Sequence, residues 1–189
     1  MGRPKEFEVD DAIRCAARVF GAGGYAGTSI QDLEREIGVG RKSLYDTFGD
    51  KRELFLRVLD RCIEAPYPIS SRSAGLPEIE RMFHGAGSLD PAHGTALLTN
   101  AVVEFGVESD EDVALRVKRH LDRLERLFAL ALERALGEQQ IAPLDVPKTA
   151  RYLTSSLQGL WVMARAGAPR AALRDIADVT LSVLRRQAG

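Results

Sequence analysis

The sequence predicts an all-α protein of about nine helices. Three observations carry this. Apolar residues recur at helical spacing along nearly the whole chain of 189 residues. Capping patterns precede the apolar runs, and glycines follow them. The strict alternation that a half-buried strand needs, bounded by turn residues, is hard to find. The length suits one ordinary domain or a small module joined to a larger one. With 45% hydrophobic and 28% charged residues, the chain can build a buried core.

The elements follow in order. A first helix spans about Val9 to Phe20, with Ile13, Ala16, Ala17 and Phe20 on one face. Gly21, Gly23, Gly24 and Gly27 stop it, because glycine ends helices and admits positive φ. Thr28 and Gln31 form a capping-box pattern that starts a second helix ending near Ile37. Gly38 supplies a tight turn, and a short third helix covers Arg41 to about Thr47. Asp50 and Glu53 form another capping pattern, opening a fourth helix to about Glu64.

The segment Pro66 to Gly75 reads as a linker. A weak helix follows from Leu76 to His84. Asp90 caps a helix that has Pro91 at its first position and ends near Phe105. Ser109 and the acids Asp110, Glu111 and Asp112 suit the positive end of a long helix to Leu136, stopped by Gly137. Two more helices close the chain, at about Val146 to Ala166 and Pro169 to Arg186.

Composition removes several function classes. Lys and Arg number 26 and Asp and Glu 27, a net charge of −1, so the protein is no globally basic nucleic-acid coat. A local basic patch survives that argument. Two cysteines, Cys15 and Cys62, cannot make a disulfide-dense scaffold, and with three histidines they leave little for a metal site. Both cysteines lie on or near apolar faces and read as inert buried thiols. The first eight residues hold no apolar run and no segment approaches the roughly 20 apolar residues of a membrane span. The expectation is a cytoplasmic protein with no cofactor, no metal and no membrane partner.

The second and third helices are short and joined at Gly38. This is the arithmetic of a helix-turn-helix, whose second helix enters the major groove of DNA. On a 3.6-residue period, Leu44 and Phe48 face the core. Arg41, Lys42, Ser43, Tyr45 and Thr47 are left with donors for bases and phosphates. Helices preceded by Thr28 and Asp50 offer backbone N–H groups to phosphate oxygens, and Lys51 adds a cation. Arg3 and Lys5 flank Pro4 in a basic arm that can reach a minor groove. The plain alternative, a solvated basic helix face, would win for Arg41 and Lys42 alone.

The stretch Thr28 to Leu56, with Leu44, Tyr45, Phe48 and Lys51 at the matching spacing, resembles the DNA-binding segment of TetR/AcrR-family transcriptional regulators. Val19-Phe20 followed by Gly24-Tyr25 also fits. The resemblance covers about Val9 to Leu59. Gly40 stands where a Ser-like cap is common, and Glu34 and Ile37 where small alanines are usual. The resemblance implies a helix-turn-helix DNA-binding domain at 1–50 and a helical ligand-binding and dimerisation domain at 51–189, connected by the helix 51–64. It implies a homodimer on a pseudo-palindromic, double-stranded operator, usually a repressor, released by a small-molecule effector. On that basis Thr28, Tyr45 and Lys51 contact phosphates. Arg41, Lys42, Ser43 and Thr47 are candidates for base edges.

The same implication assigns the rest of the chain. Two closing helices from each subunit would form a four-helix interface through Leu153, Leu157, Leu160, Leu173, Ile176, Thr180 and Leu184. The alternative is that these stripes fill the core of one subunit. An effector pocket is expected among the helices from Leu76 to Trp161, mostly apolar with a few polar groups. Asn100, Glu104, His120, Tyr152, Gln158 and Trp161 are its polar candidates. Phe83, Phe105, Phe128 and Met163 are its apolar lining. The plainer alternatives are that Asn100 satisfies a helix end, Glu104 pairs with an arginine and His120 is half exposed. An enzyme using Glu104 with His84 or His120 lacks any nucleophile, phosphate-loop or metal-ligand motif. An architectural protein that coats DNA is disfavoured by the net charge.

Overall fold

The computed structural model describes residues 8–65, 75–86, 95–105 and 110–185. Among them lie nine α-helices and no strand: α1 (Val9–Gly23), α2 (Ile30–Ile37), α3 (Arg41–Phe48), α4 (Lys51–Glu64), α5 (Leu76–Gly85), α6 (Thr95–Phe105), α7 (Glu111–Gly137), α8 (Val146–Arg165) and α9 (Arg170–Arg185). The expected linker, the expected start of α6 at Asp90 and Pro91, and Ser109 fall outside the described residues, apart from Gly75.

The end of α1 and the cap of α2 differ from expectation, and both have a local cause. Helix α1 runs through Gly21 to Gly23 and ends only at Gly24, whose φ of 72° no longer continues the helix. Helix α2 is capped by Ser29, not Thr28. The Ser29 hydroxyl accepts from the Asp32 N–H and the Asp32 carboxylate accepts from the Ser29 N–H, a reciprocal box. The expected cap at Asp50 is present, its carboxylate accepting from the Glu53 N–H at 2.8 Å. Asp110 does the same for α7, taking the N–H groups of Asp112 and Val113.

The described residues fall into two compact units. One carries α1–α4, α6 and the first residues of α7 to Val117. The other carries α5, the remainder of α7, α8 and α9. The core of the first unit is built by Phe20, Leu33, Leu44, Phe48, Leu54, Phe55, Leu59, Leu97 and Leu98. In the second, Phe83 and Phe128 pack with their rings 6.0 Å apart among Leu132, Leu153, Leu157, Leu160 and Leu173. Fully burying each such side chain stabilises by about 1.5–3 kcal/mol. In α1 the buried stripe of Ile13, Ala16, Ala17 and Phe20 is the predicted one.

Candidate nucleic-acid interface

The turn between α2 and α3 is set by Gly38, which sits in the left-handed region at φ 78°, ψ 26°. The N–H groups of Gly38 and Val39 both reach the Glu34 carbonyl oxygen, at 2.9 and 3.3 Å. Leu44 and Phe48 anchor α3 in the core. The turn and these two anchors aim the opposite face of α3 outward. Its N-cap, Gly40, makes no side-chain cap bond, so the first N–H groups of the helix lack a capping hydroxyl.

Arg41 and Lys42 are exposed, and each already has a partner on its own helix. The Arg41 guanidinium donates to the Tyr45 hydroxyl at 3.3 Å and lies over its ring. The Lys42 ammonium donates to Asp46 at 2.6 Å. These contacts raise the pKa of both groups: hydrogen bonding to Tyr45 does so for Arg41, and to Asp46 for Lys42. Ser43, Tyr45 and Thr47 are half-buried on the flanks. Lys51, at the start of α4, holds its ammonium 4.2 Å from the centre of the Tyr25 ring. Arg3 and Lys5 lie outside the described residues.

Thr28 requires a correction. Its side chain is buried and its hydroxyl donates to the Gly24 carbonyl at 2.7 Å, closing the turn after α1. A hydroxyl spent on the backbone is not offered to a phosphate. The cap expected at Thr28 falls to Ser29, because the backbone path brings the Thr28 hydroxyl onto the Gly24 carbonyl.

Arg52, which the sequence reading passed over, ties α4 to the start of α7. It donates to both oxygens of Asp110 at 2.9 Å and to Asp112 at 2.7 Å. Hydrogen bonds from Arg52 hold the Asp110 carboxyl below the ordinary carboxylate range, and the guanidinium is raised in turn, first by Asp110. Arg116 adds a link from α7 to Asp60 at 2.8 Å.

Three expected effector residues have other employment in this unit. Asn100 donates to the Gly21 carbonyl at 3.3 Å, so it satisfies the end of α1. Glu104 accepts from the backbone N–H groups of Tyr25, at 2.8 Å, and of Ala26, rather than from an arginine. Phe105 packs on Tyr25 and Phe55 with ring centres 5.2 and 5.5 Å away. The amides that need Glu104 are almost 80 positions away in sequence, which no local pattern reveals.

The remaining effector candidates belong to the second unit and divide into groups. His120, Gln158 and Trp161 cluster. Gln158 lies 3.2 Å from His120 Nε2, and the imidazole stacks near the indole at 6.3 Å. His120 is buried rather than half exposed. Burial, reinforced by Arg123, brings its pKa down to about 4 and leaves it neutral near pH 7. Trp161 Nε1 is buried without a hydrogen-bond partner among the described residues. Phe83 and Phe128 are core. Tyr152 and Met163 are exposed on α8.

The expected interface residues are also corrected. Leu153, Leu157, Leu160, Leu173, Thr180 and Leu184 are buried within a single chain, and Ile176 is packed against the same core. The exposed apolar residues on these helices are Tyr152, Val162 and Met163 on α8 and Val179 and Val183 on α9. Both stripes of α8 repeat at helical spacing, so periodicity alone could not rank them. Cys62 is half-buried, and burial pushes its thiol up to about 11, whereas Cys15 accepts from Arg18 at 3.2 Å. Among the described residues no group of three or more His, Cys, Asp or Glu could hold a metal ion, and no helix is long and apolar enough to cross a membrane.

Comparison with known proteins agrees with this geometry. The family model for bacterial regulatory proteins of the tetR family matches residues 12–58. The HTH-type transcriptional regulator YezE of Bacillus subtilis (strain 168) is 36% identical over 97% of this chain and 100% of its own length. The HTH-type transcriptional repressor ComR of Escherichia coli (strain K12) is 31% identical over 95% of this chain and 90% of its own. Among solved structures, a cysteine mutant of the TetR family transcriptional regulator CifR in complex with 26-bp double-strand operator DNA superposes with a TM-score of 0.65. It is 24% identical and covers 97% of this chain and 100% of that one. A helix-turn-helix built as described, within a chain matched end to end by such relatives, identifies the protein: it belongs to the tetR family of bacterial regulatory proteins, DNA-binding transcriptional regulators that are not enzymes.

Proposed function

We propose that the protein is a repressor that binds a pseudo-palindromic operator as a homodimer and leaves it when a small molecule binds the helical C-terminal region. One observation carries the DNA half of this reading. Helix α3 is anchored by Leu44 and Phe48 and turns Arg41 and Lys42 to solvent, on a helix of the kind a major groove admits. Tyr45 and Lys51 then serve phosphates, and Arg41, Lys42, Ser43 and Thr47 serve base edges. Residues 1–50 bind DNA and 51–189 serve ligand binding and dimerisation, with helix 51–64 connecting the two. ComR, named a repressor, and CifR, solved on operator DNA, support the direction.

Dimerisation is assigned to the exposed stripe of Tyr152, Val162 and Met163 on α8 with Val179 and Val183 on α9. One module reads few base pairs, and a two-fold pair reads two half-sites. For the effector, the cluster of His120, Gln158 and Trp161 offers polar groups within an apolar core, the composition of a small-molecule site.

The test is selection of bound duplexes from random DNA by the purified protein at near-physiological salt. Enrichment of a palindrome is expected. Arg41→Ala is expected to change the preferred bases, and Tyr45→Ala to weaken binding to all sequences alike. A folded protein that enriches nothing would overturn the operator reading.

A further inference from the structure

The turn between α1 and α2 is a cradle for a carboxylate. Gly24 has φ 72°, and a Cβ there would stand 2.9 Å from Glu104 Oε2. A Cβ at Gly27 would run into the Gly23 carbonyl oxygen. The Thr28 hydroxyl closes the loop on the Gly24 carbonyl. What this path leaves pointing outward is a pair of successive N–H groups, those of Tyr25 and Ala26. The two oxygens of Glu104 take one each. Successive amides turned to one side form an anion-binding concavity, and bonds to a charged acceptor are the stronger kind.

Helix α6 completes the grip with two more residues. One turn before Glu104, Asn100 donates to the Gly21 carbonyl. One residue after it, Phe105 packs on the Tyr25 ring. Tyr25 is thus held through its backbone by Glu104 and through its ring by Phe105. Its ring also packs against Phe20 and Phe55 and carries the Lys51 ammonium.

We propose that Glu104 is a positioning residue for DNA binding: seated on the Tyr25 and Ala26 amides, it fixes the ring on which Lys51 rests, and so fixes where Lys51 meets a phosphate. This rests on the reading of Lys51 as a phosphate contact.

The experiment is a double-mutant cycle in the full-length protein on the selected duplex, read by fluorescence anisotropy at several salt concentrations. Glu104→Gln keeps the shape but loses the charge and one acceptor. It is expected to weaken binding about tenfold and to lower the salt slope by roughly one phosphate contact. In a Lys51→Met background, Glu104→Gln is expected to cost almost nothing further. A merely structural role would give the same loss in both backgrounds, and that result overturns the proposal. Phe105→Leu, which loosens the same ring without touching the carboxylate, is measured in parallel. It keeps the test decisive if Glu104→Gln loses its helical signal, and an equal loss in both backgrounds again counts against the proposal. Wild-type protein that selects no duplex removes the DNA-binding reading and this proposal together. Lys51→Met weakening binding while Glu104→Gln and Phe105→Leu do not removes this proposal alone.

Discussion

Lys42 and Asp46 stand one turn apart on α3, with the ammonium nitrogen 2.6 Å from a carboxylate oxygen. The cation nominated for base edges is therefore paired on its own helix in the unbound protein. On the proposed reading of Lys42, DNA competes with Asp46 for this ammonium, and the Asp46 carboxylate repels phosphate meanwhile. Asp46→Asn is expected to tighten binding to all duplexes by about two- to fivefold, in keeping with the small worth of an exposed pair. Binding isotherms on the selected and on scrambled duplexes check this. Unchanged affinity on both would show that the pair does not compete with DNA.

Leu157 and Val179 are expected to fail in opposite ways. Leu157 is buried in the core, so Leu157→Ala leaves a cavity and costs about 2–5 kcal/mol of folding stability. Val179 is 66% exposed in a single chain. Val179→Glu with Val183→Glu is expected to leave the fold intact and yield monomers in sedimentation equilibrium. Monomers that still melt like the parent would locate the interface, and a persistent dimer would refute the assignment.

His120 couples stability to pH through its burial. Its folded pKa is depressed to about 4, against an ordinary value of 6.5. Above pH 6.5 the imidazole is neutral in both states and contributes no pH dependence. As pH falls from 6.5 to 4 the unfolded chain takes up a proton that the folded one refuses. That costs roughly 3 kcal/mol by pH 4. His120→Gln is expected to flatten this loss in urea titrations run across that interval. An equally steep loss in the variant would place the effect elsewhere.

Asp110 acts in a lower window. Its folded pKa is lowered, chiefly by Arg52. Its stabilisation is fully present above the ordinary carboxylate pKa and is lost as pH falls through the lowered value. Asp110→Asn is expected to lower Tm at pH 7, and its deficit against the parent is expected to shrink as the solution becomes acid. Thermal melts at pH 7, 5 and 3 check this, and a deficit constant with pH would mean that charge is not the cause.

Much of the DNA-binding unit was legible in the sequence because its determinants are local. A capping residue, its partner three positions on, a left-handed glycine and the spacing of Leu44 and Phe48 all lie within one or two turns of each other. The cap at Asp50 and the turn at Gly38 follow from such rules. Even there, the cap expected at Thr28 stands one residue on, at Ser29, because the turn after α1 draws the Thr28 hydroxyl onto the Gly24 carbonyl. The C-terminal helices were legible as helices only. The burial of Leu153, Leu157 and Leu160 and the exposure of Tyr152, Val162 and Met163 depend on which neighbours pack where.

What the sequence by itself determined is therefore the list of helices and the helix-turn-helix, because periodicity, capping and glycine conformations act over a few residues. The tertiary structure alone decided which stripe of α8 is core and what Glu104 does. An amphipathic helix announces that it has a buried face but not its partner, and a carboxylate announces a charge but not the amides that will receive it. Glu104 reaches the Tyr25 and Ala26 N–H groups across 79 and 78 positions, and such pairings exist only once the chain has folded.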